Sequence, residues 1–162
     1  LHALAAAGDS APDAVLRRLD GILNKALPTG EYAAMLYGVL DVAARRFDYA
    51  AAGVPHPVAF SPGGGDPVPG LGKGLPVGAS GAFPYELRRL DIPAGGSLVL
   101  FTDGLFTLMD GDTPGAHAFE RLIRRLADAS RGGVAQGIAA LIDGRSGLPA
   151  DDVTALCLTF PD

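Results

Sequence analysis

Residues 98–105 read Leu98-Val99-Leu100-Phe101-Thr102-Asp103-Gly104-Leu105, a run of large apolar side chains that stops on an acid and a glycine. Bounded ahead by the turn signal Pro93-Ala94-Gly95-Gly96, the stretch from Ser97 to Thr102 is the most strand-like in the chain. Its continuous apolarity marks a central, buried strand rather than a half-solvated one. An acid at the C-terminal end of such a strand is held rigidly at the edge of a sheet. Asp-Gly is also a frequent turn pair, so taken alone Asp103 is more simply a turn or helix-capping residue.

Working outward, the pattern predicts elements on both sides. Tyr85 to Ile92 reads as a mixed strand with one solvated face, and Val58 to Phe60 as a short strand. Tyr32 to Leu40 (YAAMLYGVL) is a short apolar run bounded by Gly and Asp, and Arg46 to Ala50 alternates, which together predict an antiparallel hairpin closed by residues 41–45. Ser10 followed by Ala11-Pro12-Asp13 has the form of an N-cap with proline in the first turn. Val15, Leu16, Leu19, Ile22, Leu23 and Leu27 then recur at helical spacing until Pro28-Thr29-Gly30. Downstream, helical spacing runs from Phe119 to Ala129 and from Val134 to Ile142, and Val153 to Phe160 alternates as a closing strand. Helix, strands, helices, strand is the order of an α+β chain with mostly antiparallel sheet. No internal repeats interrupt it.

Composition bounds the rest. The 162 residues suit one domain, and 48% hydrophobic with 19% charged residues can bury a core. Thirteen basic against eighteen acidic residues give a net charge of −5, which lacks the clustered positive charge that phosphate neutralisation of nucleic acid demands. Gly at 23 and Pro at 13 concentrate between residues 53 and 81, which reads as loop. The single cysteine, Cys157, excludes an internal disulfide framework and a cysteine zinc site. There is no apolar run of membrane-spanning length and no basic signal-peptide start, so no membrane association is expected and the cytoplasm is the expected compartment. The opening Leu1-His2-Ala3-Leu4 reads as the end of a helix without a start signal.

A second acidic feature stands at the start of the last strand, Asp151-Asp152-Val153-Thr154. Adjacent acids repel, and water or a cation must neutralise them. Hard oxygen ligands from two separate strands select Mg²⁺ or Mn²⁺ over softer metals. The plainer account of the pair is a solvated loop. His2, His56 and His117 share no ligand spacing, and Gly70-Leu71-Gly72-Lys73-Gly74 fails the phosphate-loop pattern because Gly follows Lys73. That glycine-rich stretch reads instead as a loop flanking a site. Arg121, Arg124 and Arg125 read as the solvated face of a helix, with partner docking as the alternative.

In order, YAAMLYGVLD (32–41), RFDYAAAGVPHPV (46–58), GLPVG (74–78), LVLFTDGL (98–105), AFERL (118–122) and DDVTALCL (151–158) resemble the SpoIIE-type branch of the PPM metal-dependent serine/threonine protein phosphatases. The resemblance covers nearly the whole chain, and TDG and DDVT are its most specific parts. It implies an α+β fold in which two antiparallel sheets form a sandwich flanked by helices, with a binuclear Mn²⁺ or Mg²⁺ centre at one end. Asp103 and Asp151 stand where that family has catalytic, metal-binding acids, with Gly104, Asp152 and Thr154 in supporting positions. Gly53, His56, Gly72, Lys73 and Gly74 fall in the substrate-flanking loops.

The same resemblance implies an output domain of bacterial signalling that dephosphorylates a phosphoserine or phosphothreonine on an anti-anti-sigma-type protein. An upstream sensor or receiver domain would control it, and a homodimer stays open. The family's upstream Gly-Asp-x-x-Gly-His-Gly motif has no counterpart here. Gly8-Asp9-Ser10 is not it, and the family's Ala-Gly-His-Pro stands as Ala52-Gly53-Val54-Pro55, with His56 displaced. Residues 1–162 are therefore expected to be a single phosphatase-like domain lacking its N-terminal strands. Two acids set only two negative charges against the four positive charges of a metal pair, so weak metal binding and little turnover are expected of this chain alone. The alternative is a degenerate domain that grips the same partner without catalysis.

Overall fold

A computed structural model describes residues 11–63, 67–70, 74–108, 117–129, 133–144 and 151–162. Its elements divide between two compact units, Leu1–His56 with Gly70–Asp91, and Pro57–Pro69 with Ile92–Asp162. Among the described residues the first unit carries one antiparallel sheet and one helix, and the second one antiparallel sheet with two α-helices and a 3₁₀ helix, the α+β class expected from the element order.

In the first unit, helix α1 (Pro12–Ala26) starts with proline in its first turn, where a missing N–H costs nothing. Ala11 occupies the cap position and makes no side-chain cap bond. The expected cap, Ser10, lies outside the described residues. Strands β1 (Met35–Asp41) and β2 (Arg46–Ala52) form the anticipated hairpin, in register from Met35 opposite Ala52 to Asp41 opposite Arg46. Its turn is held by the Asp41 carboxylate, which accepts a bond from Ala44 N at 2.8 Å. Strand β5 (Arg88–Asp91) joins the other edge of β2, giving the order β1-β2-β5. It is shorter than the predicted 85–92 strand. Tyr85 is instead buried, its hydroxyl bonded to Leu75 O at 2.8 Å.

Leu16 packs among Ala50, Ala52, Val77 and Tyr85, with Leu19 and Leu23 alongside. The two small alanines on β2 let the helix approach the sheet closely. The predicted apolar stripe is wrong at two places. Ile22 is 47% exposed, whereas Asp20 is fully buried. Asp20 lies one turn after Leu16 on the same face, where its carboxylate finds backbone donors in the 74–85 segment.

In the second unit, β6 (Ser97–Phe101) is the interior strand that its sequence predicts, in a four-stranded sheet. The neighbours are β3 (Val58–Phe60) and β7 (Ala155–Thr159), and β4 (Val68–Pro69) pairs with β3. That last pairing corrects the reading of 67–81 as loop throughout. A 3₁₀ helix (Asp103–Leu108) and helices α2 (Ala118–Ala129) and α3 (Val134–Asp143) complete the unit. Val58, Phe60, Val99 and Phe101 from the sheet meet Leu105, Leu122, Leu126 and Ile138. Each fully buried leucine here contributes about 2–3 kcal/mol by leaving water. Arg121, Arg124 and Arg125 lie exposed on the opposite side of α2, as its periodicity requires.

Candidate functional site

The two acidic motifs meet at one end of the β6–β7 pair. The ladder runs from Ser97 opposite Thr159 to Phe101 opposite Ala155, so the next pair along is Thr102 and Thr154. Beyond that pair β6 turns into the 3₁₀ helix that Asp103 opens, and β7 is preceded by Asp151 and Asp152. Thr102 N donates to Thr154 O at 3.0 Å, and Thr154 N donates to the Thr102 hydroxyl at 3.0 Å.

Gly104 brings the segments closer still. A Cβ there would stand 2.2 Å from Asp152 O and 2.8 Å from its carbonyl carbon, so only glycine permits this approach. Asp151 uses one carboxylate oxygen to accept from Asp152 N at 2.8 Å, which orients it. The Thr107 hydroxyl donates to Gly104 O at 2.7 Å and ties down the 3₁₀ turn. The structure thus joins Asp103, Gly104, Asp151, Asp152 and Thr154 in one place, although Asp103 and Asp151 are 48 positions apart in the sequence.

All three acids are exposed to solvent and accessible to a hydrated cation. Their donor set is carboxylate oxygen with no sulfur or imidazole, which suits a hard divalent ion. Among the described residues, no group of three or more His, Cys, Asp or Glu is placed to hold a metal. Carboxylate donors of this kind would suit Mn²⁺ or Mg²⁺. His117 stands 3.6 Å from Glu120 on α2.

Cys157 lies on β7. Burial pushes its thiol up, and hydrogen bonding with Ser97 and Thr159 offsets only part of that. It is therefore a protonated structural thiol rather than a nucleophile.

Of the loop residues expected to flank substrate, Gly53 and Gly74 belong together in the first unit, where Gly53 N donates to Gly74 O at 2.9 Å. Gly53 has φ +72°, and a Cβ on Gly74 would come within 2.3 Å of Ala51 O, so both positions require glycine. His56 lies half-buried at the end of the first unit's N-terminal stretch. Gly72 and Lys73 lie outside the described residues, as do His2, Gly8-Asp9-Ser10 and the start at Leu1.

Two hydrogen-bonding side chains escape a reading of the sequence. The Thr102 hydroxyl is one; its signal is a hydroxyl residue between the last strand position and the Asp-Gly turn. Asp20 is the other, and its signal is an acid one turn after a buried leucine. Gly78 N and Phe83 N donate to its two oxygens at 2.7 and 3.1 Å, while Asn24 and Arg17 on the same helix side reach Gly78 O and Tyr85 O, each at 2.8 Å. No helix among the described residues is long and apolar enough to cross a membrane.

Residues 1–161 match the family described as Stage II sporulation protein E (SpoIIE). No curated protein matches the chain. Among solved structures, the SiaA-PP2C domain of Pseudomonas aeruginosa is 21% identical with a TM-score of 0.72, over 98% of this chain and 65% of that one. The RsbU and RsbW domains of Rv1364c from Mycobacterium tuberculosis give 22% and 0.67, over 98% of this chain and 45% of that one. The Mn-presoaked phosphatase domain of SpoIIE from Bacillus subtilis gives 18% and 0.61, over 99% of this chain and 70% of that one. The chain thus spans from just under half to about seven-tenths of these structures, and the likeness establishes a shared PP2C phosphatase fold.

Proposed function

Because the chain belongs to the SpoIIE family, we propose that it is the metal-dependent phosphatase part of a bacterial signalling protein, acting on a phosphoserine or phosphothreonine of an anti-anti-sigma-type regulator. The observation that carries this reading is the meeting of the TDG and DDVT segments, which sets Asp103 and Asp151 on adjoining backbone at the end of one strand pair. These two carboxylates would hold Mn²⁺ or Mg²⁺. When bound, such an ion supplies Lewis-acid polarisation of a phosphoryl group and makes water a competent nucleophile at neutral pH.

The chain's own residues prepare that site. Asp152 N–H fixes one oxygen of Asp151 and leaves the other for a cation. Gly104 removes the side chain that would separate the segments. Burial raises the Cys157 thiol pKa, so this residue is not a competing nucleophile. Two carboxylates only half balance a metal pair, so turnover by these 162 residues alone is slow. Control by an upstream sensor or receiver domain and a cytoplasmic setting complete the proposal.

The absence of a three-ligand group among the described residues favours a second reading, a partner-binding domain without catalysis. A single-turnover assay separates the two. At high protein concentration and saturating Mn²⁺, slow phosphate release from a serine-phosphorylated anti-anti-sigma protein is expected, and Asp103→Asn should abolish it. Binding of the phosphoprotein with no Mn²⁺-dependent release would support the second reading, and neither binding nor release would overturn both.

A further inference from the structure

Where β6 leaves its sheet, its backbone stops serving the ladder. The Thr102 carbonyl accepts from Leu105 N at 3.1 Å as the chain turns into the 3₁₀ helix. In an antiparallel pair Thr154 N would be owed to that carbonyl, because Thr102 N already donates to Thr154 O. Thr154 N goes instead to the Thr102 hydroxyl, at 3.0 Å. The same hydroxyl has a proton to give, and Asp152 O receives it at 3.1 Å, with Thr154 O at 3.4 Å. One oxygen can do both, since a hydroxyl accepts and donates at once.

We propose that Thr102 is a positioning residue for the Asp103–Asp151 cation site. Its hydroxyl substitutes for the diverted carbonyl and clasps residues 152–154 to the residue before Asp103, so that both carboxylates are presented as a preset pair. The identity of the cation rests on the function proposed above; the clasp itself rests on the hydrogen bonds. Presetting matters because a pair that must be ordered on binding loses affinity to conformational entropy. Groups that orient metal ligands typically change metal affinity by about 10–100-fold when removed. Serine keeps the hydroxyl, whereas valine keeps the shape and loses it.

The test compares wild type, Thr102→Val and Thr102→Ser by Mn²⁺ titration followed by electron paramagnetic resonance, with amide exchange at Thr154 and Leu98. Thr102→Val should weaken Mn²⁺ binding about tenfold or more and speed exchange at Thr154. Exchange at Leu98, whose N–H faces β7 deeper in the same strand pair, should not change, and Thr102→Ser should restore both properties. Mn²⁺ affinity and Thr154 protection that survive in Thr102→Val would overturn the proposal. If wild type binds Mn²⁺ and Asp103→Asn loses it while Thr102→Val does not, the clasp fails and the cation reading stands. If wild type binds no Mn²⁺, both fail. Should Thr102→Val not fold, Thr102→Ala serves in the same comparison.

Discussion

Asp20 is fully buried on α1, and both of its oxygens accept backbone N–H groups from a segment some sixty residues away in sequence, Gly78 at 2.7 Å and Phe83 at 3.1 Å. Asp20→Ala strands both donors. A buried N–H left without a partner costs about 1–3 kcal/mol. Gly78 N is enclosed and should cost near the top of that range, whereas Phe83 N is partly open and water can recover some of its loss. The sum is about 3–4 kcal/mol, a large share of the roughly 5–15 kcal/mol by which a domain is stable. Asp20→Asn keeps one acceptor but turns an NH₂ toward the second N–H, so about 2 kcal/mol is expected. Urea unfolding reads the energies, and hydrogen exchange at Gly78 and Phe83 reads the location. A loss below about 1 kcal/mol in Asp20→Ala, or unchanged exchange at both amides, would refute the reasoning.

Gly104→Ala drives a methyl group into the Asp152 backbone at 2.2 Å, which should cost about 1–3 kcal/mol in thermal unfolding and weaken Mn²⁺ binding. Gly21→Ala, on α1 with its nearest neighbour at 3.6 Å, should by contrast leave stability unchanged or raise it by up to about 1 kcal/mol. Burial, reinforced by the charge of Asp20, pushes the Tyr85 phenol up to about 12. The folded value lies above the free one, so this contribution is complete below pH 10 and is lost as pH rises toward 12. Absorbance titration of wild type against Tyr85→Phe should therefore show no Tyr85 ionisation near pH 10, and Asp20→Asn should lower its midpoint without restoring the free value, because burial is the larger cause.

Strands and helices with one dominant period were legible in the sequence. The run from Ser97 to Phe101 announced an interior strand, and Leu122, Ile123 and Leu126 announced the buried face of α2, because burial is what sets both patterns. Elements whose partners are remote were not legible. Val68 and Pro69 pair with β3 inside a stretch composed like a loop, and Tyr85 leaves its predicted strand to bond Leu75 O. Asp20 breaks the apolar stripe for the same reason, since its compensation lies in amides that no local window contains.

At the site, residue type and motif mark Asp103 and Asp151, and the backbone of their motifs comes together. Thr102 stayed silent because its task exists only once the carbonyl of β6 has turned away to Leu105.

The central claim is that Asp103 and Asp151 act as one hard-cation site. Titration of the chain with Mn²⁺, monitored by the loss of the free-ion paramagnetic resonance signal, tests it most directly. The account predicts weak, saturable binding that either Asp103→Asn or Asp151→Asn removes and that Mg²⁺ competes away. Saturable binding unaffected by both substitutions, or no binding in the folded wild-type chain, would contradict it.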